Sequence, residues 1–358
     1  MKIAIITCQR AFNYGAVLQT YALQKYLRNN GYDAYVIDYI PEYLRKSTNK
    51  NIILKIIRPI LRGRDFKKSK KVFGEFLEEN TKLTKKYNSY SELKNNPPKV
   101  DAFIAGSDQI WNCNTNIGKD DAYFLGFASK NTKKISYAAS IAMDKIPGGQ
   151  INRFKENLKD FDYISVREKT GVKLLENIGI KKVERVLDPV YLLDKSEWDK
   201  IAGKSNLKLN NEKYILVYGF KRQKDLYEYA RKVADERNCK IYSINTNFED
   251  YFLDVDKYFY NATPYDFVNL VKNAEEVITN SFHGLSFSII YNKPVHQFKK
   301  MGNENSRMID LLEELKMSER LVKDRLLDKE VNYSETNEII KWNKNISSQF
   351  LKNSLGGE

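Results

Sequence analysis

Residues 2–38 read KIAIITCQRAFNYGAVLQTYALQKYLRNNGYDAYVID and decide the fold of the first part of the chain. Lys2–Thr7 and Asp33–Asp38 are apolar runs of strand length. Between them, Ala16–Asn30 has the apolar spacing of an amphipathic helix that stops at Gly31. This strand–helix–strand order is typical of a parallel sheet covered by helices.

The same alternation continues beyond this unit and is interrupted by a polar linker, Asp194–Lys213. Later strands are predicted at Val100–Ala105, Ile135–Ser140, Phe161–Val166, Lys213–Tyr218, Lys240–Ile244 and Glu276–Thr279, and later helices at Gln223–Asn238, Tyr265–Lys272, Ser281–Tyr291 and Ser306–Leu315. We therefore predict an α/β protein with two Rossmann-like lobes and a cleft between them. The first lobe is assigned to residues 1–193, the second to 194–325, and a helical tail to 326–358.

Composition excludes several classes of protein. With 42% hydrophobic residues, the 358-residue chain has enough apolar surface for a large core and is not disordered. No apolar run reaches the roughly 18 residues of a membrane span. Three scattered cysteines and two histidines argue against a disulfide framework and a metal centre, so we expect a cytoplasmic protein without a metal ion.

The net charge of +14 is concentrated in residues 44–72, which contain eleven basic residues and one acidic residue. This basic segment also carries isoleucines and leucines, a combination typical of helices that lie on anionic membranes. A solvated insertion packed on its own lobe explains the pattern equally well. Nucleic acid is disfavoured as a partner, because binding it favours aromatic or arginine-rich platforms.

Open α/β sheets bind ligands at the carboxyl ends of their strands, so those ends hold the candidate site residues. Asn13, Tyr14 and Gly15 follow the first strand and precede a helix, whose amides can receive an anion or a sugar hydroxyl. The chain has no G-x-G-x-x-G and no Walker sequence, which disfavours a dinucleotide or ATP cradle.

Polar residues and an indole follow the strand Val100–Ala105. Ser107, Asp108, Gln109 and Trp111 together suit carbohydrate recognition, because hydroxyls need hydrogen-bond partners and a pyranose face stacks on an aromatic ring. A capped turn with Trp111 in the core is the alternative. Both interpretations stay open at the level of sequence.

Two further strand ends carry charge. Arg167 follows Phe161–Val166, where it either binds an anionic ligand through its planar fork or pairs with Glu168 or Asp188. His283 follows Glu276–Thr279 at the start of a helix and suits general acid/base chemistry, although a lone histidine is more often structural. We expect the second histidine, His296, to be structural.

These segments, in this order, resemble blocks of the polysaccharide pyruvyl transferase family. The resemblance lies in Asn13–Gln19 (NYGAVLQ), Gly106–Asn112 (GSDQIWN), Ser165–Glu168 (SVRE), Asp188–Pro189 and Ser281–Gly284 (SFHG). It implies a two-lobed arrangement similar to GT-B glycosyltransferases. It also implies transfer of the enolpyruvyl group of phosphoenolpyruvate to two sugar hydroxyls, with ketal formation and release of phosphate, and no cofactor.

The resemblance also implies roles for residues, with the donor on the second lobe and the acceptor on the first. His283 and Arg167 would be catalytic. Phosphoenolpyruvate would be bound by Arg167, Asn280, Ser281, His283 and Arg307, and the sugar by Asn13, Tyr14, Gly15, Ser107, Asp108, Gln109 and Trp111. Many members of the family have arginine where this chain has Ser281, and we expect Arg307 to supply the missing charge.

The expected activity is therefore pyruvyl transfer in bacterial surface-polysaccharide biosynthesis (capsule or exopolysaccharide), with a lipid-linked intermediate as one form of acceptor. The basic segment supports work at the cytoplasmic membrane face. Two alternatives stay open: a GT-B-type glycosyltransferase with a nucleotide-sugar donor, and a non-catalytic protein that binds anionic glycans or lipids. The sequence identifies neither the acceptor sugar nor the oligomeric state.

Overall fold

A computed structural model describes residues 1–45, 58–220, 223–245, 254–300, 305–323 and 326–356. The apolar stripe of the basic segment lies outside the residues, or the side chains, that the structure describes. No helix in the described ranges has the length and apolar character needed to cross a membrane.

The first lobe is built on a seven-stranded sheet in which every pairing is parallel. Its strands are β1 (Lys2–Ile6), β2 (Asp33–Tyr39), β3 (Leu83–Tyr87), β4 (Ala102–Ala105), β5 (Lys133–Ala139), β6 (Tyr163–Val166) and β7 (Val183–Arg185). They lie in the order β3-β2-β1-β4-β5-β6-β7. The predicted strands form the middle of this sheet, and the two that were not predicted, β3 and β7, are its edges.

The second lobe has a five-stranded parallel sheet. Its strands are β8 (Tyr214–Tyr218), β9 (Lys240–Asn245), β10 (Lys257–Tyr260), β11 (Glu276–Thr279) and β12 (Val295–Gln297). Their order is β10-β9-β8-β11-β12. The predicted pair of Rossmann-like lobes is therefore confirmed.

Helices connect the strands on both faces of each sheet. They are α1 (Tyr14–Asn29), α2 (Glu42–Arg45), α3 (Arg58–Asn80), α4 (Tyr90–Asn95), α5 (Gly148–Leu158), α6 (Lys169–Asn177), α7 (Lys195–Ala202), α8 (Lys224–Arg237), α9 (Pro264–Asn273), α10 (Phe282–Ile290), α11 (Ser306–Glu314) and α12 (Ser334–Leu355). Helix α1 begins where the Asn13 side chain accepts a hydrogen bond from the Ala16 amide at 2.8 Å. It is followed by Gly31 with a positive φ of 85°.

Both sheets are doubly wound, and each reverses its winding direction at one place. In the first lobe this switch point lies between β1 and β4, and in the second between β8 and β11. Ligands of such sheets bind beyond the strand ends at the switch point. The fold thus directs attention to the segments that follow these four strands.

A continuous apolar core joins the lobes. Tyr14 of the first lobe stacks on Phe267 of the second with ring centroids 4.7 Å apart, and its hydroxyl donates to the Ala262 carbonyl at 2.8 Å. Phe73 of α3 packs edge-on against Tyr14 at 5.1 Å. Helix α3 runs eight residues past the predicted end of the basic segment, and its last turns belong to this core.

Helix α12 lies in the C-terminal region and packs on the first lobe. Phe350, Leu351 and Leu355 share a buried cluster with Ile3 and Ile5 of β1. Each such side chain contributes about 1.5–3 kcal/mol when buried. Residues 334–355 therefore complete the core of the first lobe.

Candidate active site

A cavity of about 920 Å³ opens between the two switch points and is lined by both lobes. Half of the twelve predicted site residues line it: Asn13, Asp108, Gln109, Ser281, His283 and Arg307. The strand-end rule had named Asn13, Asp108, Gln109, Ser281 and His283, which follow β1, β4 and β11, whereas Arg307 follows β12 and was named from the family resemblance.

His283 lies in the first turn of α10, which is capped by the Ser281 hydroxyl accepting from the Gly284 amide at 3.3 Å. Its Nε2 is 3.5 Å from Oδ2 of Asp188. Gly15 packs on the imidazole: a Cβ there would lie 1.9 Å from Nδ1, with Cγ and Cε1 at 2.4 and 2.6 Å. These distances place Gly15 over the face of the ring, so it holds the imidazole rather than lining the cavity.

Asp188 is the carboxylate behind the histidine. Its Oδ2 accepts from the Ser107 hydroxyl at 2.8 Å and from Nη1 of Arg167 at 2.7 Å. Burial raises the pKa of Asp188, but His283, Arg167 and Ser107 together lower it well below its usual range. An ionised Asp188 orients the imidazole and stabilises a positive charge on it.

Arg167 lies beneath the cavity rather than in it, with a completely buried side chain. Its guanidinium pairs with Asp188 at 2.7 Å, Asp108 at 3.4 Å and Glu168 at 3.8 Å. Burial lowers the pKa of Arg167, but the three carboxylates raise it above its usual value. The ion-pair interpretation therefore describes this structure. Direct contact between Arg167 and a donor in the cavity is not supported by its position.

Asp108 forms the charged floor of the cavity. Its backbone has a positive φ of 74°, and its carboxylate accepts from the Cys8 thiol at 3.3 Å and the Gln109 amide at 2.8 Å. Burial raises the pKa of Asp108, but the Arg167, His283 and Arg307 charges bring it below its usual value. Asp108 is thus an ionised hydrogen-bond acceptor facing the cavity.

Three cationic side chains line the cavity, together with the carboxylates of Asp108 and Asp144. Arg307 in the first turn of α11 lines it, with Nη1 3.8 Å from Asp108 Oδ1, and Lys145 and Lys300 line it too. The first turns of α10 and α11 contribute residues to the same wall, so their amide dipoles add positive potential. The arrangement suits a small polyanion.

Two predicted acceptor residues lie in cores instead. Trp111 is completely buried, donates its indole N–H to the Tyr123 carbonyl at 3.1 Å and stacks on Phe124 at 5.5 Å. Tyr14 belongs to the core between the lobes. The expectation that Trp111 stacks on a sugar is therefore wrong for this structure, and its alternative as a core residue holds.

Asn280 and Ser107 also act from behind the cavity wall. The Asn280 carboxamide accepts from the Phe220 amide at 2.7 Å and donates to the Phe220 carbonyl at 3.0 Å. Ser107 bonds Asp188, as described above. Both residues fix neighbouring groups rather than line the cavity themselves.

Sequence reasoning missed several lining residues. Lys145 follows β5 and Phe220 follows β8, so the strand-end rule applied to these two strands would have found them. Lys300 follows β12 and was missed because the end of this strand was not considered either. Within the described ranges, His, Cys, Asp and Glu side chains do not gather in groups of three that could hold a metal ion.

A model of the polysaccharide pyruvyl transferase family matches residues 13–296. The chain belongs to this family. The match to the polysaccharide pyruvyl transferase model includes His283 and Asp188 but ends before Arg307. Among curated proteins, none matches the sequence.

Solved structures similar to this polysaccharide pyruvyl transferase family member include UDP-N-acetylglucosamine 2-epimerases. The enzyme from Rickettsia bellii has 13% identity and a TM-score of 0.50, with 99% of this chain and 96% of that chain covered. A putative one from Listeria monocytogenes has 10% identity and a TM-score of 0.50, covering 98% and 89%. At such identities the likeness shows the fold alone, and it confirms the predicted GT-B-like arrangement.

Proposed function

We propose that this chain transfers the enolpyruvyl group of phosphoenolpyruvate to two hydroxyls of a sugar, in bacterial surface-polysaccharide biosynthesis. The observation that carries the proposal is His283, which faces a cationic cavity and is backed by the ionised Asp188 at 3.5 Å. Membership of the family supports the general class of reaction.

Arg307 is the proposed guanidinium partner of phosphoenolpyruvate. It occupies the cavity wall, whereas Arg167 is enclosed by carboxylates. The donor carries about three negative charges, which the helix N-termini and Lys145 would help to balance. In this proposal Arg167 is a positioning residue that keeps Asp188 ionised and in place beside His283.

His283 is the proposed acid. Proton transfer from the imidazolium to C3 of phosphoenolpyruvate makes the methyl group and leaves a cationic centre at C2, which the first sugar hydroxyl attacks. Phosphate then leaves, and the second hydroxyl closes the ketal. Of the two hydroxyl protons, one returns to His283, which gave its proton to C3, and the other leaves with phosphate. Asp188 stabilises the imidazolium before the transfer to C3 and again once the ring has regained a proton.

Incubation with phosphoenolpyruvate and a panel of nitrophenyl and lipid-linked glycosides tests the proposal. We expect phosphate release and a product heavier by one ketal-linked pyruvate, both lost in His283→Gln. A nucleotide sugar serves as the competing donor. Transfer from it, with phosphoenolpyruvate inert, would favour the glycosyltransferase alternative, and glycan binding without turnover of either donor would favour a binding protein.

Contact with an anionic membrane surface through residues 44–72 is a second part of the proposal. In the described portion of this basic segment, α3 exposes Lys67, Lys68, Lys70 and Lys71. We expect co-sedimentation with phosphatidylglycerol vesicles at low salt, reduced by the double variant Lys67→Glu and Lys70→Glu. Charge reversal of Lys155 in α5 and of Lys159, which directly follows this helix, is the matched control. Equal sedimentation of both variants would contradict the proposed contact between this basic segment and the membrane.

A further inference from the structure

Phe220 is a large apolar side chain that lines the cavity and is 37% exposed. In the described ranges, the other exposed large hydrophobic residues are Met1, Trp342 and Ile346, and these three do not line it. Covering such a ring with a ligand removes apolar surface from water, and full burial of a phenylalanine side chain stabilises by about 1.5–3 kcal/mol. Such a ring is available to a ligand.

The position of Phe220 is fixed. Both of its backbone polar groups are held by Asn280, at 2.7 and 3.0 Å, and Asn280 also donates to Gln223 at 2.9 Å. The ring packs edge-on against Tyr218, with centroids 5.6 Å apart. Since Asn280 is three residues before His283, the ring is held in a defined relation to the proposed acid.

Polar groups suited to hydroxyls share the cavity with this ring. The Lys300 ammonium lies over one face of the Phe220 ring, 4.5 Å from its centroid, and the first lobe contributes Asn114, Asp144 and Lys145. The volume of about 920 Å³ leaves room for a second substrate beside a donor as small as phosphoenolpyruvate. An apolar face bordered by hydrogen-bonding groups is the complement of a pyranose ring.

We propose that Phe220 is the platform on which the acceptor sugar stacks, the role that the sequence suggested for Trp111. Its identity as the pyruvyl acceptor rests on the proposed function. Lys300 is placed to contact hydroxyl or anionic substituents of the stacked ring. A stacked nucleobase is the competing ligand. It is less favoured because a nucleotide site typically has a carboxylate that binds the ribose hydroxyls near the base. The acidic residues that line this cavity, Asp108 and Asp144, come from the first lobe, whereas Phe220 lies on the second.

A tryptophan at this position reports on the ligand. In the Trp342→Phe background, the exposed indole of α12 is removed, while Trp111 and Trp198 are buried. Phe220→Trp in that background is titrated with methyl glycosides of galactose, glucose, mannose and N-acetylglucosamine, and with UMP. We expect the fluorescence to change with at least one glycoside and not with UMP. Calorimetry then compares further variants made in the same Trp342→Phe background. We expect Phe220→Ala to bind that glycoside about tenfold more weakly than the background protein, and Phe220→Tyr to bind it with nearly the background affinity.

A response to UMP alone would overturn the proposal, as would silence towards every glycoside or equal affinities of Phe220→Ala and Trp342→Phe. Failure of the proposed function has a different signature. In that case no phosphate is released from phosphoenolpyruvate with any acceptor, while glycoside binding still depends on Phe220. Phosphate release with glycoside binding indifferent to Phe220 would refute the platform alone.

Discussion

The two histidines of the chain each lie beside a buried carboxylate, yet their surroundings differ. His296 is fully buried, with Nε2 2.7 Å from Glu276 and Nδ1 2.8 Å from the Tyr229 hydroxyl. His283 lines a cavity, and its Nε2 is 3.5 Å from Asp188. Both ring nitrogens of His296 are therefore bonded within the protein, whereas His283 retains hydrogen-bonding capacity for a ligand.

The difference shows that a histidine–carboxylate pair does not by itself mark a site. Burial lowers the pKa of His296 in spite of Glu276, so this imidazole is neutral and joins two strands of the second sheet. The His283 pair has the same chemical groups, but it has access to a cavity with cationic walls. Access, rather than pairing, separates the two, and the following variants test that separation.

Replacing each histidine by glutamine should give opposite results. We expect His283→Gln to lower pyruvyl transfer about 10²- to 10⁴-fold, because the proposed general acid is lost, with little change in unfolding free energy. His296→Gln should lower the unfolding free energy and leave transfer by the folded fraction within a few-fold. Phosphate release and urea unfolding measure the two effects. Equal loss of transfer in both variants would erase the distinction.

The carboxylates of Asp188 and Glu276 differ in the cation that loses its partner when each is replaced. Asp188→Asn removes the closest partner of Arg167, whose side chain is completely buried, and should lower the unfolding free energy by about 3–5 kcal/mol. Glu276→Gln leaves Arg237, which is 20% exposed and can be hydrated, so we expect a smaller loss of about 1–3 kcal/mol. Chemical denaturation of both variants measures the order, and the reverse order would contradict it.

Gly15 supports only the His283 side of the comparison. A Cβ at Gly15 would lie 1.9 Å from Nδ1, so Gly15→Ala must displace the imidazole, with an expected loss of transfer of about 10²-fold. Gly74→Ala is the matched control, since its Cβ would meet its nearest neighbour, Arg10, at 3.6 Å. Steady-state kinetics of both variants provides the measurement. Unchanged kinetics in Gly15→Ala would mean that the ring position is not critical.

The pH dependence of stability should report on His296. Its folded-state pKa is below the ordinary value of about 6.5, so below that pH the unfolded chain binds a proton that the folded chain does not. Stability should therefore fall between pH 6.5 and 5.5, by at most about 1.4 kcal/mol from this group. Urea unfolding at both pH values should show a smaller fall in His296→Gln than in His283→Gln. The same fall in both would rule out this origin.

The sequence predicted the central strands and half of the site because both depend on local pattern. Apolar runs mark β1, β4, β8 and β11, and the carboxyl ends of these strands converge by the geometry of parallel sheets. The edge strand β3 reads LTKKY, with Lys85 and Lys86 exposed, so it lacks the apolar run that reveals a buried strand. Its existence depends on pairing with β2.

The remaining misassignments concern side-chain direction. Trp111 and Phe220 both follow strands of a switch point, yet one is in a core and the other faces a cavity. For Arg167 the resemblance implied contact with the donor, and the alternative was an ion pair with Glu168 or Asp188; the structure shows both pairs and adds Asp108 from a distant segment. Residue type and spacing do not specify which way a side chain points when partners distant in sequence compete for it.

Helix α12 has a consequence for how this chain is made. Its Phe350, Leu351 and Leu355 pack with Ile3 and Ile5, which are translated long before them. Domains generally fold as units during synthesis. Here β1 packs with α12, which is translated more than 300 residues later. Until α12 has been made, that face of β1 lacks the cover of Phe350, Leu351 and Leu355, although Leu23 and Leu27 of α1 belong to the same cluster.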